Sequence, residues 1–125
     1  MADKRNTVLV TGGAGYIGSH VVRQLGETGE NVVTLDNLST GFRDAVLYGE
    51  FFEGSVGDRD LVSRILADHG VRTVMHFAAH AYVGESVANP GKYYRNNVAG
   101  TLTLLEAMRD HYEETFPPAK PITAV

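Results

Sequence analysis

Gly12, Gly15 and Gly18 recur at three-residue intervals in Thr11-Gly12-Gly13-Ala14-Gly15-Tyr16-Ile17-Gly18, directly after the apolar run Thr7-Val8-Leu9-Val10. A glycine-rich turn leading from a strand into a helix suits phosphate chemistry. The first N–H groups of a helix have no intrahelical acceptor and lie at the positive end of its dipole, so a pyrophosphate laid across them gains several charge-assisted hydrogen bonds. Gly12 is placed to take the tight-turn dihedrals, Gly15 leaves no Cβ between ligand and backbone, and Gly18 allows the helix to pack closely on its strand. The spacing GxxGxxG is one residue longer between the first pair than the GxGxxG fingerprint, and a glycine triplet alone is a weak signal.

A second residue type strengthens it. The run Asn31-Val32-Val33-Thr34-Leu35 ends in Asp36, eighteen residues beyond Gly18. An acidic side chain at the end of the second strand can accept both hydroxyls of an adenosine ribose. The same carboxylate repels a 2′-phosphate, because two like charges in a partly desolvated site raise each other's free energy. The cofactor predicted is therefore NAD rather than NADP. The alternative role for Asp36 is a turn cap, since Asn37, Ser39, Thr40 and Gly41 form a turn-prone run after it.

The elements that must position these residues alternate in period. β1 is predicted at about 7–11, and Ile17, Val21, Val22 and Leu25 then recur at helical spacing until Gly29. A second strand spans about 31–36 and a loop follows over 37–49, with a helical turn around Asp44 to Tyr48. Phe51 and Phe52 begin a short third strand that stops at Gly54. Asp58 caps a helix in which Leu61, Val62, Ile65, Leu66 and His69 share a face, ended by Gly70. The fourth strand is Arg72 to Phe77, and a long helix follows Pro90 with Val98, Leu102, Leu105 and Met108 on its buried side and Gly100 as a weak helix former inside it. Residues 116–121 break that helix, and Ile122-Thr123-Ala124-Val125 reads as the opening of a fifth strand. This order gives an α/β, Rossmann-like parallel sheet ordered 3-2-1-4, or 3-2-1-4-5 with the opening strand at 122–125, with helices on both faces and the ligand crevice beyond the carboxyl ends of the first and fourth strands.

One domain over residues 1–125 accounts for the chain, with no internal repeat or linker. A chain of 125 residues can bury roughly two thirds of the surface that it exposes when unfolded. Its formal charge of −4, with eleven scattered Lys and Arg, excludes nucleic acid or an anionic membrane as a main partner, because either needs a basic stripe. The chain has no cysteine, which removes disulfides and thiolate zinc sites and fits a cytoplasmic location. No apolar run is long enough for a signal-peptide core or a membrane span. His76 and His80 are separated by the end of the fourth strand, so no metal site is predicted. Glu85-Ser86 lacks an oriented histidine for a triad, Tyr93-Tyr94 reads as helix-face packing, and the charged run from Arg109 to Glu114 reads as a solvated helix end.

Five motifs in order carry a family resemblance: the glycine turn extended through Ser19-His20, then Asp36-Asn37-Leu38-Ser39-Thr40-Gly41, His76-Phe77-Ala78-Ala79, Val83-Gly84-Glu85-Ser86, and Tyr93-Tyr94-Arg95-Asn96-Asn97-Val98. From about Thr7 to Met108 the chain closely resembles the UDP-glucose (UDP-galactose) 4-epimerases of the extended short-chain dehydrogenase/reductase group. The resemblance implies tight NAD binding and interconversion of the two UDP-sugars through a 4-keto intermediate. It implies that Tyr16 and Ile17 offer backbone N–H groups to the pyrophosphate, that Asp36 holds the adenosine ribose, and that Asn37, Leu38, Ser39, Thr40 and Gly41 wrap the adenine side. Phe77, Ala78 and Ala79, followed by His80 and Ala81, would run beneath the nicotinamide ribose and phosphates, and Asn96 would reach the cofactor from the long helix. Two positions depart from the family: Ser55, with Val56 beside it, stands where an adenine-binding Asp is common, and Ala81 stands where many members have a lysine.

Family chemistry uses a tyrosine base whose pKa is lowered by a lysine four residues later. Tyr16, Tyr48, Tyr82, Tyr93, Tyr94 and Tyr112 all lack a lysine at that offset, so no catalytic residue is assigned. The expectation is a truncated, amino-terminal NAD-binding portion that handles a UDP-sugar only if a carboxyl-terminal half is supplied. Homodimerisation is common in the family and is not expected of so short a chain. The alternatives are a non-catalytic NAD-binding module and a UDP-arabinose or UDP-xylose 4-epimerase fragment. With a sheet edge facing water, marginal stability or aggregation is also expected.

Overall fold

The computed structural model describes residues 7–78 and 87–115. Four strands, β1 (Thr7–Thr11), β2 (Asn31–Asp36), β3 (Glu50–Glu53) and β4 (Val71–His76), form one parallel sheet in the order β3-β2-β1-β4. Leu9 lies opposite Val33 and Val74, and Thr11 lies opposite Leu35 and His76. A register irregularity between Thr7 and Val8 is the one break in the β1–β4 ladder among these strands.

Side chains alternate across the sheet and so build two cores. Leu9, Val33, Leu35 and Val74 face α2 (Arg59–His69) and α4 (Gly100–Thr115), where Val62, Ile65, Leu66, Leu104, Ala107 and Met108 complete the larger cluster. Val8, Val10 and Val32 face the other way, against Val22 of α1 (Tyr16–Glu27) and Val46. A strand with both faces covered is mainly apolar, and Thr7-Val8-Leu9-Val10-Thr11 is buried at every position, with threonines only at its ends.

Local signals set the element ends. The Asp58 side chain accepts from the Leu61 backbone N–H at 3.2 Å, capping α2, and Gly70 closes the helix in the left-handed region at φ 58°. A 3-10 turn occupies Arg43–Ala45, at the edge of the helical turn predicted in that loop. β4 runs one residue earlier than predicted, so Phe77 lies just past the strand.

The long helix corrects the sequence reading. It is built from a short turn, α3 (Pro90–Tyr93), a π-helical stretch Tyr94–Ala99, and α4. The buried residues are Gly100, Leu104, Ala107 and Met108, whereas Val98 is 53 % exposed, Leu102 56 % and Leu105 47 %. Of the predicted apolar stripe only Met108 is buried. Small residues decided the face: a Cβ on Gly100 would lie 3.1 Å from Val56 Cγ2, so the helix seats there because it carries no side chain. Tyr94 is 63 % exposed, against the packing predicted for it, and Ile17 is 63 % exposed at the first turn of α1, which projects beyond the sheet. The predicted helix break at 116–121, the fifth strand and the loop from Ala79 to Ser86 lie outside the described residues.

Candidate functional site

A cleft opens at the carboxyl ends of the strands, lined by Gly12, Gly15, Leu35, Asp36, Asn37, Ser39, Thr40, Gly54, Ser55, Val56, Phe77 and Ala78. Its floor is the turn after β1. Gly12 sits at φ 72° and donates its N–H to the Leu35 carbonyl at 2.8 Å; a Cβ there would fall 2.6 Å from the Phe77 carbonyl carbon. A Cβ on Gly18 would lie 2.2 Å from the Gly12 oxygen. Gly12 and Gly18 are thus required by the packing of the chain on itself.

Gly15 is different. A Cβ at Gly15 would meet nothing closer than the Gly12 oxygen at 3.4 Å, an ordinary contact. Among the described residues, chain neighbours aside, no other atom lies within 4 Å of that position. Gly15 is also the N-cap of α1, with no side-chain cap and no acidic residue in the first turn, so α1 itself supplies no side chain to its dipole end. Tyr16 is 83 % exposed, its ring edge-on to His20 at 4.9 Å, so it and Ile17 can contribute to the cleft by backbone N–H only.

Asp36 holds the opposite wall. It is 8 % exposed, with Oδ2 accepting from the Ala14 N–H at 2.9 Å and Oδ1 from the Leu38 N–H at 2.7 Å. The turn-cap role is therefore real, and it fixes the carboxylate in orientation while each oxygen keeps a lone pair for a further donor. Leu38 takes a left-handed conformation at φ 59°, which turns the chain back over the glycine loop. Phe42 N–H donates to the Ala14 carbonyl at 3.1 Å, and Gly41 lies so close that a Cβ would be 2.4 Å from the Ala14 oxygen. Asn37 Oδ1 accepts from the Ser39 N–H at 3.0 Å. Asn37, Ser39 and Thr40 line the cleft, whereas Leu38 packs against the core and Gly41 against Ala14.

On the far side, Gly54 N–H donates to the Asp36 carbonyl at 3.0 Å, and the Ser55 hydroxyl accepts from the Gly57 N–H at 3.0 Å. Ser55 and the buried Val56 line the cleft, as do Phe77 and Ala78 beyond β4. Ala79, His80 and Ala81 lie outside the described residues, as does the side chain of Asn96, whose backbone is in the π-helical stretch. His76, the last residue of β4, is hydrogen-bonded through Nδ1 to Thr11 Oγ1 at 2.5 Å and through Nε2 to Thr101 Oγ1 at 3.0 Å, and burial pushes its pKa below the ordinary value. Among the described residues no group of three His, Asp or Glu side chains converges as a metal site.

Sequence reasoning missed Leu35 and Gly54 as lining residues, and it missed Gly13. A Cβ on Gly13 would fall 2.4 Å from Thr34 Cγ2, so Gly13 lets the turn lie flat on β2. Gly13, Gly15 and Gly18 themselves have the GxGxxG spacing, a signal present in the sequence. A second cleft, at the opposite end of the sheet, is lined by Glu30, Glu50, Asp68 and His69 among others, and three carboxylates suit no phosphate.

The family described as NAD dependent epimerase/dehydratase family matches residues 8–117. A UDP-glucose 4-epimerase from Lactobacillus helveticus is 55% identical over 104 residues, covering 82% of this chain and 32% of that protein. The crystal structure of a UDP-glucose 4-epimerase from Brucella ovis in complex with NAD superposes with a TM-score of 0.82 at 51% identity, over 85% of this chain and 33% of the other. A UDP-glucose 4-epimerase from Thermotoga maritima, solved with UDP-glucose, gives 0.81 at 42% identity, over 84% and 34%. The chain thus spans about a third of the length of the relatives it matches.

Proposed function

The chain belongs to the NAD dependent epimerase/dehydratase family, and on that premise we propose that it binds NAD in the cleft at the strand ends and serves as the cofactor-binding part of a UDP-glucose 4-epimerase. The observation that carries the reading is Gly15, a position where the chain's own packing tolerates a side chain yet has none, at an uncapped helix start across the cleft from Asp36. Bound there, NAD would supply a hydride acceptor and donor for a sugar.

The protein's part is binding and orientation. The α1 N-terminus receives the pyrophosphate on backbone N–H groups, and Gly15 lets it approach. Asp36, held rigid by the Ala14 and Leu38 amides, accepts the ribose hydroxyls and excludes a 2′-phosphate by charge. Asn37, Ser39, Thr40, Ser55 and Val56 line the cleft and would wall the adenine side, and Phe77 and Ala78, also lining it, would pass under the nicotinamide half. Ala79, His80, Ala81 and Asn96 belong to the same proposal through the family resemblance, and a cytoplasmic setting belongs to it through the cysteine-free composition. No helix among the described residues is long and apolar enough to cross a membrane. Since no tyrosine has a lysine four residues later, proton transfer at the sugar is not assigned to these residues, and the 125-residue chain alone is expected to turn over nothing.

Isothermal titration with NAD and NADP, followed by an assay of UDP-galactose conversion with NAD present, tests the reading. Heat with NAD, an affinity for NADP lower by about tenfold or more, and no UDP-glucose are expected. Preference for NADP, or no heat from folded protein, overturns the cofactor assignment. UDP-glucose formation overturns the assignment of the chain to binding alone.

A further inference from the structure

His76 is half-buried at the point where three elements meet. Its Nδ1 is bonded to Thr11 Oγ1 at the end of β1, and its Nε2 to Thr101 Oγ1 in the first turn of α4. Thr11 is fully buried, so its hydroxyl depends on a protein partner. The residues that follow Thr11 and His76 in the chain, Gly12 and Phe77, line the cleft: the Phe77 N–H donates to the Thr11 carbonyl at 2.8 Å, and the Phe77 carbonyl carbon lies against Gly12 with no room for a Cβ. Both ring nitrogens are thereby satisfied, and the two partners lie on different elements, 65 and 25 residues away in the chain. We propose that His76 is a positioning residue for the cleft, tying the β1 end and the α4 start to the segment that presents Phe77 and Ala78.

Geometry gives the tie its direction. The spacing between the Gly12 turn and the Phe77–Ala78 backbone sets the width of the cleft floor, and the Thr11–His76 bond fixes the β1 and β4 ends side by side in register. The Thr101 bond adds α4 to the same unit, so movement of that helix is passed to the floor through one imidazole. Burial keeps the ring neutral, which matches one donor and one acceptor to two hydroxyls that can each play either part. This role rests on the proposal that the cleft binds NAD, whereas the tie itself is independent of any ligand.

The test uses the 125-residue chain and its variants His76→Phe, His76→Gln and Thr101→Val. NAD affinity is read by titration, and exchange of the Phe77 and Thr101 amides is read without ligand. Loss of two hydrogen bonds in His76→Phe is expected to weaken NAD by about tenfold and to speed exchange at both amides by about tenfold, with His76→Gln recovering most of each effect. A folded His76→Phe protein that binds and exchanges like the parent overturns the proposal, and so does failure of Gln to recover more than Phe. Should His76→Phe not fold, Thr101→Val decides, because it keeps the ring and the Thr11 bond; unchanged exchange and affinity there overturn the tie. A folded parent that gives no heat with NAD defeats the cofactor reading and the cleft role together, while the exchange measurement still shows whether the tie exists.

Discussion

Gly12, Gly15 and Gly18 are the same residue type at the same spacing, yet they answer to different constraints. Gly12 and Gly18 are confined by backbone atoms at 2.6 and 2.2 Å from an added Cβ, so a side chain at either disrupts the fold. Gly15, at φ −79° and ψ 178° and with 3.4 Å of clearance, accepts alanine in the free protein. Gly15→Ala is therefore expected to leave the thermal midpoint of the ligand-free chain within the scatter of the parent while weakening NAD by about tenfold or more, since the methyl group occupies the pyrophosphate's approach. Titration beside a thermal melt checks both halves. Asp36 shows a comparable doubling of roles: its cap bonds and its proposed ribose bonds use different lone pairs of one carboxylate, so the two readings of the residue were never exclusive.

At the scale of elements, capping signals were legible because they are local. Asp58 and Gly70 bracket α2 as expected, since a side-chain acceptor and a left-handed residue act over a few positions. The orientation of α4 was not legible. The sequence from the π-helical stretch into α4 carries one stripe through Val98, Leu102 and Leu105 and another through Gly100, Leu104 and Ala107, and periodicity cannot rank them. Close approach of Gly100 to Val56 and the ion pairs of Arg59 with Glu106 and Asp110 favour the second. The guanidinium groups of Arg109 and Arg59 hold the Asp110 carboxyl below its ordinary pKa. The first stripe is left facing outward, and an exposed row of large apolar side chains promotes association. Leu102→Lys combined with Leu105→Lys is expected to reduce the apparent mass of the chain in light scattering at high concentration without lowering its thermal midpoint, because neither side chain is in the core.

For the molecule as a whole, β3 and β4 are the sheet edges among the described residues, and β3 has only four residues. A parallel sheet with such edges depends on what covers them. Global stability should also carry a mark of His76. Its pKa lies below the ordinary 6.5 in the folded chain because burial penalises the charged ring. Above 6.5 neither state takes up the proton; as pH falls below it, the unfolded chain is protonated first and stability declines until the lowered folded value is passed. Thermal melts from neutral to mildly acidic pH should show a steeper loss for the parent than for His76→Gln, which has no such group to titrate.

The order of elements, the sheet sequence, the glycine turn and the acidic residue at the end of β2 were all determined by the sequence itself, because each rests on neighbours within a turn or a strand and on a fixed topological rule. Tertiary structure alone decided which stripe of α4 is buried, that the Asp36 carboxylate reaches the Ala14 amide, and that His76 joins Thr11 to Thr101 across 65 and 25 residues of chain. Those outcomes depend on close approach between segments remote in sequence, where the sizes of the facing side chains, rather than their hydropathy or spacing, select one arrangement over another.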